Sequence, residues 1–267
     1  MHTLLKIGID ELTDSINNDD EPTLQKRIKA IEQELQKAIQ LFPDSSFIFD
    51  AEARFSALID RCPRAIESLK KAFSLNKRNG YIAIRLAKMY EGQEDIQDAI
   101  QVLKDCLDAN PSDKSVNYRL ATLLGKKQLG TMDEIKFYLR RSFTEGDSNY
   151  SAQFWFARCL YIDNDFDGAH NIFNFLKRIN IDTRIKREPR GIICKNSQPV
   201  DYQGIINTLE ASYGFLLRDE LQDRIFTHKY HSAENWDDLN SHKRVIFNLG
   251  FNYRGPVAIN IRPETPE

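Results

Sequence analysis

Four ring-bearing side chains near the end of the 267-residue sequence are spaced so that they could act on a flat ligand. They occupy alternate positions of two short apolar stretches and are Tyr213, Phe215, Phe226 and His228. In β-strands alternate side chains share a face, so the four rings would form one aromatic surface. Bases stack on such rings with about 1–3 kcal/mol each and with little dependence on base identity. The spacing therefore predicts a single aromatic surface that could stack on a flat ligand.

Other reactive residue types lack the spacing that catalysis or metal binding requires. The four cysteines lie far apart, which excludes zinc-finger and CxxC patterns. His228 and His231 are three residues apart without a third ligand at metal-binding spacing, so we interpret them as a stacking residue and a surface residue. P-loop, GxGxxG, GxSxG and HExxH motifs are also missing from the sequence. We expect a non-enzymatic protein with no cofactor and no metal.

The composition is that of a globular protein without a global attraction for nucleic acid. Hydrophobic residues make up 41%, charged residues 28%, and the formal net charge is −2. The sequence shows no secretory signal and no apolar run of 18 or more residues. We therefore expect a cytoplasmic protein with reduced thiols and no membrane partner.

A repeat supplies most of the elements that must position these residues. The pattern Ala-Ile-x-x-Leu-x-x-Ala at residues 65–72 returns 34 residues later at 99–106, with cysteine in the last place. Apolar residues at helical spacing, with a small residue at each end, predict a helix that a second helix can approach closely. Pro111 follows where that helix should end. Self-similarity at this period is typical of helical repeat proteins.

These units resemble tetratricopeptide repeats (TPRs), which implies an all-α superhelix of helical hairpins over residues 1–183. The units are about 12–45, 46–79, 80–113, 114–149 and 150–183. In this family the second, fifth and ninth positions of a unit face an inner groove. The resemblance thereby implies a protein-binding row of cations and rings, comprising Arg54, Tyr81, Lys88, Tyr118, Phe154 and Arg158. Such a row favours a protein or peptide with acidic and hydrophobic side chains, although a phosphate backbone or a merely solvated row also fits.

Residues 184–201 lose the helical periodicity and form a basic linker that could include a short strand at 192–194. The linker could touch a nucleic-acid backbone, but a solvated connection is the favoured interpretation. Beyond it, residues 202–267 have the short apolar runs of a small all-β barrel of the five-stranded OB type. The predicted strands are 204–209, 213–217, 224–228, 245–249 and 257–261.

Three motifs of this barrel resemble cold-shock domains: residues 212–216, residues 223–228 and the closing strand at 254–261. The resemblance implies that the four rings bind single-stranded RNA or DNA, and that the phosphates meet Arg218, Lys229 and Arg254. The sequence departs from the family where Thr208 or Leu209 replaces a tryptophan and where Lys229 replaces an aromatic residue. We therefore expect weak binding, and a barrel kept for packing or protein contact remains an alternative.

The sequence as a whole predicts a multidomain protein, an all-α TPR superhelix followed by a five-stranded OB/cold-shock-like barrel. Its expected function is that of an adaptor, which binds a protein through the TPR groove and single-stranded nucleic acid, preferably RNA, through the barrel. The alternative is a C-terminal sensor or interaction region of a larger regulatory NTPase or effector, whose barrel would serve protein contacts.

Overall fold

A computed structural model describes residues 2–18, 20–221, 223–233 and 235–264 of the chain. Contacts between residues divide the chain into two compact units, Met1–Thr144 and Glu145–Glu267. In the described ranges, no helix combines the length and the apolar character needed to cross a bilayer.

The first unit consists of helical hairpins, in which each odd-numbered helix packs against the next helix in the chain. The odd-numbered helices α1, α3, α5 and α7 come first in their hairpins, and two pairs of them, α1 with α3 and α5 with α7, are also in contact. The helices are α1 (His2–Asn18), α2 (Glu21–Leu41), α3 (Ser46–Leu58), α4 (Cys62–Leu75), α5 (Gly80–Gly92), α6 (Ile96–Ala109), α7 (Lys114–Lys127) and α8 (Met132–Arg141).

The repeated apolar stripe forms the core of this unit. Ala65, Ala72, Ala99 and Cys106 are fully buried, because a small side chain at each end of the stripe lets the neighbouring helix come close. The all-α repeat part of the predicted fold class is confirmed. The first helix starts at His2, well before the predicted unit 12–45, and it buries one side chain per turn at Leu5, Ile9 and Leu12.

The second unit combines one helical hairpin with a connector and a barrel. Its helices are α9 (Tyr150–Ile162), α10 (Phe166–Arg178) and the short α11 (Thr183–Arg187). The two-residue strands β1 (Cys194–Lys195) and β2 (Gln198–Pro199) form a small hairpin. The barrel strands are β3 (Asp201–Leu209), β4 (Tyr213–Arg218), β5 (Arg224–His228), β6 (Arg244–Asn252) and β7 (Gly255–Pro263).

The five barrel strands close in the order β3-β4-β5-β7-β6. Neighbours are antiparallel except for β5 and β7, which pair in parallel. Strands β3, β4 and β5 follow one another, and β6 returns to lie beside β3, which is Greek-key connectivity. The predicted five-stranded barrel is confirmed, and each predicted strand lies within an observed one.

The hairpin α9–α10 shares its core with the barrel. Phe173 of α10 stacks on Phe251 of β6, with ring centroids 6.2 Å apart, and Phe154 of α9 meets Tyr253 edge to face at 5.3 Å. All four rings are buried. Aromatic pairs of this geometry contribute about 0.5–1.5 kcal/mol each beyond the burial of their area. The last helical repeat and the barrel therefore form one packed body.

The connector is attached to the barrel by its main chain. Arg190 and Phe251 exchange both backbone hydrogen bonds, at 2.7 and 2.8 Å, and the Ile193 amide donates to the Leu249 carbonyl at 2.9 Å. A two-residue exchange of this kind is the bonding pattern of an antiparallel sheet. An isolated bridge therefore ties this part of the connector to β6, while the side chains of residues 184–200 stay exposed or half-buried.

Candidate functional site

The outer face of β4 and β5 carries the four rings that the sequence singles out. Across the two strands Tyr213 pairs with His228 and Phe215 pairs with Phe226. The residues between them point into the barrel and are buried, because successive side chains of a strand alternate between faces. The expected common face of the four rings is therefore present on the outside of the barrel.

The rings form a nearly continuous aromatic surface. Tyr213 stacks parallel to Phe226 at 6.2 Å, and Phe215 meets Phe226 edge to face at 5.7 Å. Tyr213 remains 40% exposed. The guanidinium of Arg224 lies 3.8 Å from the Phe215 ring and covers it. The accessible part of the surface thus centres on Tyr213, Phe226 and His228.

Tyr230 adds a fifth ring that the sequence analysis missed. It lies in a short 3-10 turn after β5, stacks on His228 at 4.8 Å and is 82% exposed. Cold-shock domains usually place an aromatic residue one position earlier, where this chain has Lys229. An aromatic residue one position after Lys229 was therefore the sequence feature that could have pointed to Tyr230.

These rings line a cleft of about 660 Å³. The rest of its lining comes from α11, from the two residues after α11, and from the end of β6 and the turn that follows it. The cleft-lining residues are Arg184, Arg187, Glu188, Pro189, Ser212, Tyr213, Phe226, His228, Tyr230, His231, Asn252 and Arg254. A concave site with stacking rings on one side and guanidinium groups on the other suits a ligand that is both flat and anionic.

Burial and neighbouring charges lower the pKa values of the two histidines in the cleft. Burial lowers the pKa of His228, and the nearby charges of Arg187 and Lys229 lower it further. Burial also lowers the pKa of His231, with His228 as the second cause. The Nδ1 atom of His228 accepts a hydrogen bond from the Tyr230 amide at 3.4 Å, which suits a neutral ring. A neutral imidazole can stack on a base without the cost of desolvating a charge.

The three cations expected to meet phosphates are placed differently from one another. Arg254 is exposed and lines the cleft, and Lys229 is exposed with its ammonium 5.5 Å from the Tyr230 ring. Arg218 is only 4% exposed and is held by both carboxylate oxygens of Asp223, at 2.9 and 3.0 Å. Its guanidinium is therefore bound inside the protein and is not accessible to a phosphate.

The expected groove residues also divide between the two units. In the second unit Phe154 is buried, and Arg158 donates from Nε to the Gly191 carbonyl at 2.7 Å while its guanidinium lies over Trp155 and Phe251. Burial lowers the pKa of Arg158. Both side chains are thus part of the packing between α9, the connector and the barrel, and neither is displayed in an open groove.

In the first unit the expected groove residues remain more accessible. Tyr81 is 61% exposed, Lys88 is exposed and Tyr118 is half-buried. Arg54 is paired with Asp10 of α1 at 2.7 Å, so its charge is compensated. These residues lie on the first helices of three consecutive hairpins: Arg54 on α3, Tyr81 and Lys88 on α5, and Tyr118 on α7.

A metal centre is not formed by the described residues, because they contain no group of three or more histidine, cysteine or acidic side chains that could hold an ion.

No family model matches the sequence, and no curated protein matches it. Solved structures with some likeness include MamA, which is 16% identical over 58% of this chain and 90% of that chain, with a TM-score of 0.44. PilF of Pseudomonas aeruginosa is 20% identical over 66% and 81%, with a TM-score of 0.46. YrrB, described as a TPR protein with an unusual peptide-binding site, is 13% identical over 57% and 77%, with a TM-score of 0.42. TPR proteins are thus among the structural neighbours of this chain.

Proposed function

We propose that this chain is an adaptor, whose barrel binds single-stranded nucleic acid and whose helical hairpins bind a protein. One observation carries the nucleic-acid half: stacked rings on the outside of the barrel line the same cleft as three arginines. Flat bases and anionic phosphates are the two parts of a nucleotide, and the cleft offers a complement to each. A double helix hides its base faces, so the proposed ligand is an unpaired strand.

The affinity should be modest. A small number of rings, at about 1–3 kcal/mol per stacked base, must offset the ordering of a flexible strand. Few cations contribute, and the net charge of the chain is −2. We expect a dissociation constant on the order of micromolar at low salt, with little preference for base identity.

Titration of fluorescently labelled single-stranded RNA and DNA at two salt concentrations tests this proposal. Tyr213→Ala combined with Phe226→Ala removes the two accessible parallel rings, and we expect at least a tenfold loss of affinity. Phe175→Ala is the matched control, since Phe175 is a partly exposed ring of the same unit that does not line the cleft. Wild-type protein that binds neither strand at low salt, or a control variant that loses as much affinity, would refute the proposal.

The protein-binding half of the proposal concerns the first unit. Phe47 and Tyr81 are exposed rings at the second positions of two consecutive hairpins, and Lys88 adds a positive charge on the same helix as Tyr81. Ion pairs between successive first helices, such as Arg85 with Asp50, hold these rings in place. Exposed rings beside cations fit a peptide with hydrophobic and acidic side chains.

Pull-down from a lysate, followed by mass spectrometry, tests this half. Tyr81→Ala with Lys88→Glu should remove partners that wild-type protein retains and should leave the melting temperature nearly unchanged. A partner list unaffected by the double substitution would contradict this surface. Protein partners that instead depend on Tyr213 and Phe226 would favour a protein-binding barrel over a nucleic-acid-binding one.

A further inference from the structure

Three arginines line the same cleft as the aromatic surface, and two of them belong to the connector before the barrel. Arg184 and Arg187 lie on α11, and Arg254 lies in the turn between β6 and β7. The β-barrel strands alone do not provide this wall, because α11 precedes them in the chain. The cleft is therefore shared between the barrel and the short helix α11 that precedes it.

The wall is held in position by the end of β6. The Tyr253 amide donates to the Lys186 carbonyl at 3.1 Å, and the side-chain amide of Asn252 donates to the Arg187 carbonyl at 3.3 Å. Asn252 is buried, so its bond to the connector is shielded from water. A wall fixed by backbone contacts can present guanidinium groups to a ligand without first having to order the chain.

The charges of this wall are less compensated than those of Arg244 and Arg262 in the same unit. Arg244 pairs with Asp219 and Glu264, and Arg262 pairs with Asp201. Within the described residues, Arg187 and Arg254 have no carboxylate oxygen within 4.0 Å. Arg184 has only the exposed partner Asp182, at 3.2 Å, and exposed pairs are weak. The remaining acidic group of the wall is Glu188, whose carboxylate lies 3.8 Å from Arg190.

We infer that Arg184, Arg187 and Arg254 form a phosphate-binding wall for the strand whose bases stack on the rings. This inference rests on the proposed nucleic-acid function and assigns the phosphates to the α11 side of the cleft. Guanidinium groups suit this task, because their planar fork can donate two hydrogen bonds to one phosphate. The charge of Arg187 lowers the pKa of His228, which agrees with a positive potential that would attract an anion to this site.

The test compares Arg184→Gln/Arg187→Gln with Lys177→Gln/Arg178→Gln. The control pair removes the same charge from exposed residues of α10 that do not line the cleft. For a single strand, each phosphate contact contributes about 0.7 to the slope of log affinity against log salt. Loss of two contacts should therefore lower the slope by about 1.4 and weaken binding about tenfold at low salt. The control should keep the wild-type slope.

Titration of His228 by NMR gives a second readout, which a general structural role of the arginines would not change. Arg187→Gln should raise the pKa of His228 towards its ordinary value in the free protein. Binding of the strand to wild-type protein should also raise that pKa, because a phosphate offsets the neighbouring positive charges. Binding then takes up protons, so affinity should increase as the pH falls below about 6.5.

The outcomes separate this inference from the function on which it rests. If the ring variant loses binding while Arg184→Gln/Arg187→Gln keeps both affinity and slope, the phosphate wall is wrong and the stacking surface stands. If wild-type protein binds no strand, both fail. A nucleoside monophosphate that binds as tightly as a twelve-residue strand would overturn the assignment to a strand, and an unchanged His228 titration on binding would overturn the wall.

Discussion

Asp223 joins the fifth hairpin, α9–α10, to the barrel, and its replacement by alanine should destabilise the whole unit of residues 145–267. Its carboxylate binds the Arg218 guanidinium through two hydrogen bonds and accepts a further bond from the Tyr161 hydroxyl of α9. Burial raises the pKa of Tyr161, and the bond to Asp223 raises it further, so the phenol stays a proton donor. Asp223→Ala would leave a buried cation and a buried hydroxyl without their acceptor.

The expected cost follows from the burial of the pair. The Arg218 side chain is 5% exposed and that of Asp223 is 20% exposed. Removal of one partner of a buried ion pair costs about 3–5 kcal/mol. Because Asp223 retains some contact with water, we expect the lower end, about 3 kcal/mol. With an assumed urea dependence of about 2 kcal/mol per molar for a unit of this size, the unfolding midpoint should fall by about 1.5 M.

Tryptophan fluorescence during urea unfolding measures this effect at both ends of the unit. The chain has two tryptophans, Trp155 on α9 and Trp236 at the barrel, so single-tryptophan variants report each part separately. Both should show the same midpoint and the same decrease. Arg218→Leu together with Asp223→Leu and Tyr161→Phe should recover most of the loss, since an apolar set avoids the desolvation cost and leaves no buried hydroxyl without an acceptor. A decrease below 1 kcal/mol, or one seen by a single probe, would refute the reasoning.

Two further predictions concern close packing and the folding boundary. A Cβ atom at Gly80 would collide with the carboxylate of Asp113, which caps α7, so Gly80→Ala should lower the free energy of unfolding by about 2 kcal/mol. Gly92→Ala, where the new atom meets nothing within 4 Å, is the control in the same thermal melts. Residues 145–267 should fold alone with native near-ultraviolet dichroism. Residues 184–267 should instead bind a hydrophobic dye, because the barrel rings would lose their partners on α9 and α10.

The sequence predicts the barrel well because its signal is local. The alternation in residues 213–217 and 224–228 determines which side chains share a face, and both strands appear within one residue of their predicted bounds. The same alternation could not predict the position of the Tyr230 ring, because Tyr230 follows β5 in a 3-10 turn, where side chains no longer alternate with a period of two. The place of Arg187 in the cleft could not be predicted either, because the connector has no periodicity that would indicate which side a residue faces.

The groove was harder to predict because accessibility depends on distant parts of the chain. A position within a repeat indicates which side of a hairpin a residue faces, and this holds for Tyr81. It does not indicate what covers that side, and for Phe154 and Arg158 the cover comes from Tyr253 and Gly191. The residues around α9 in the sequence give no indication of either contact. The expected groove residues that stay exposed therefore lie in the first unit, and the fifth hairpin, α9–α10, packs against the barrel.

The shared core also determines which part of the chain can carry the proposed binding activity. A segment limited to residues 202–267 would include every barrel strand and every ring of the cleft, but it would lack Arg184 and Arg187. The backbone bonds that position α11 come from the end of β6, so the wall and the barrel depend on each other. A ligand that contacts both stabilises the entire unit by mass action, about 2.7 kcal/mol at a concentration one hundred times its dissociation constant. Binding of the strand and packing of the fifth hairpin, α9–α10, should therefore be thermodynamically linked, because both depend on the same folded unit.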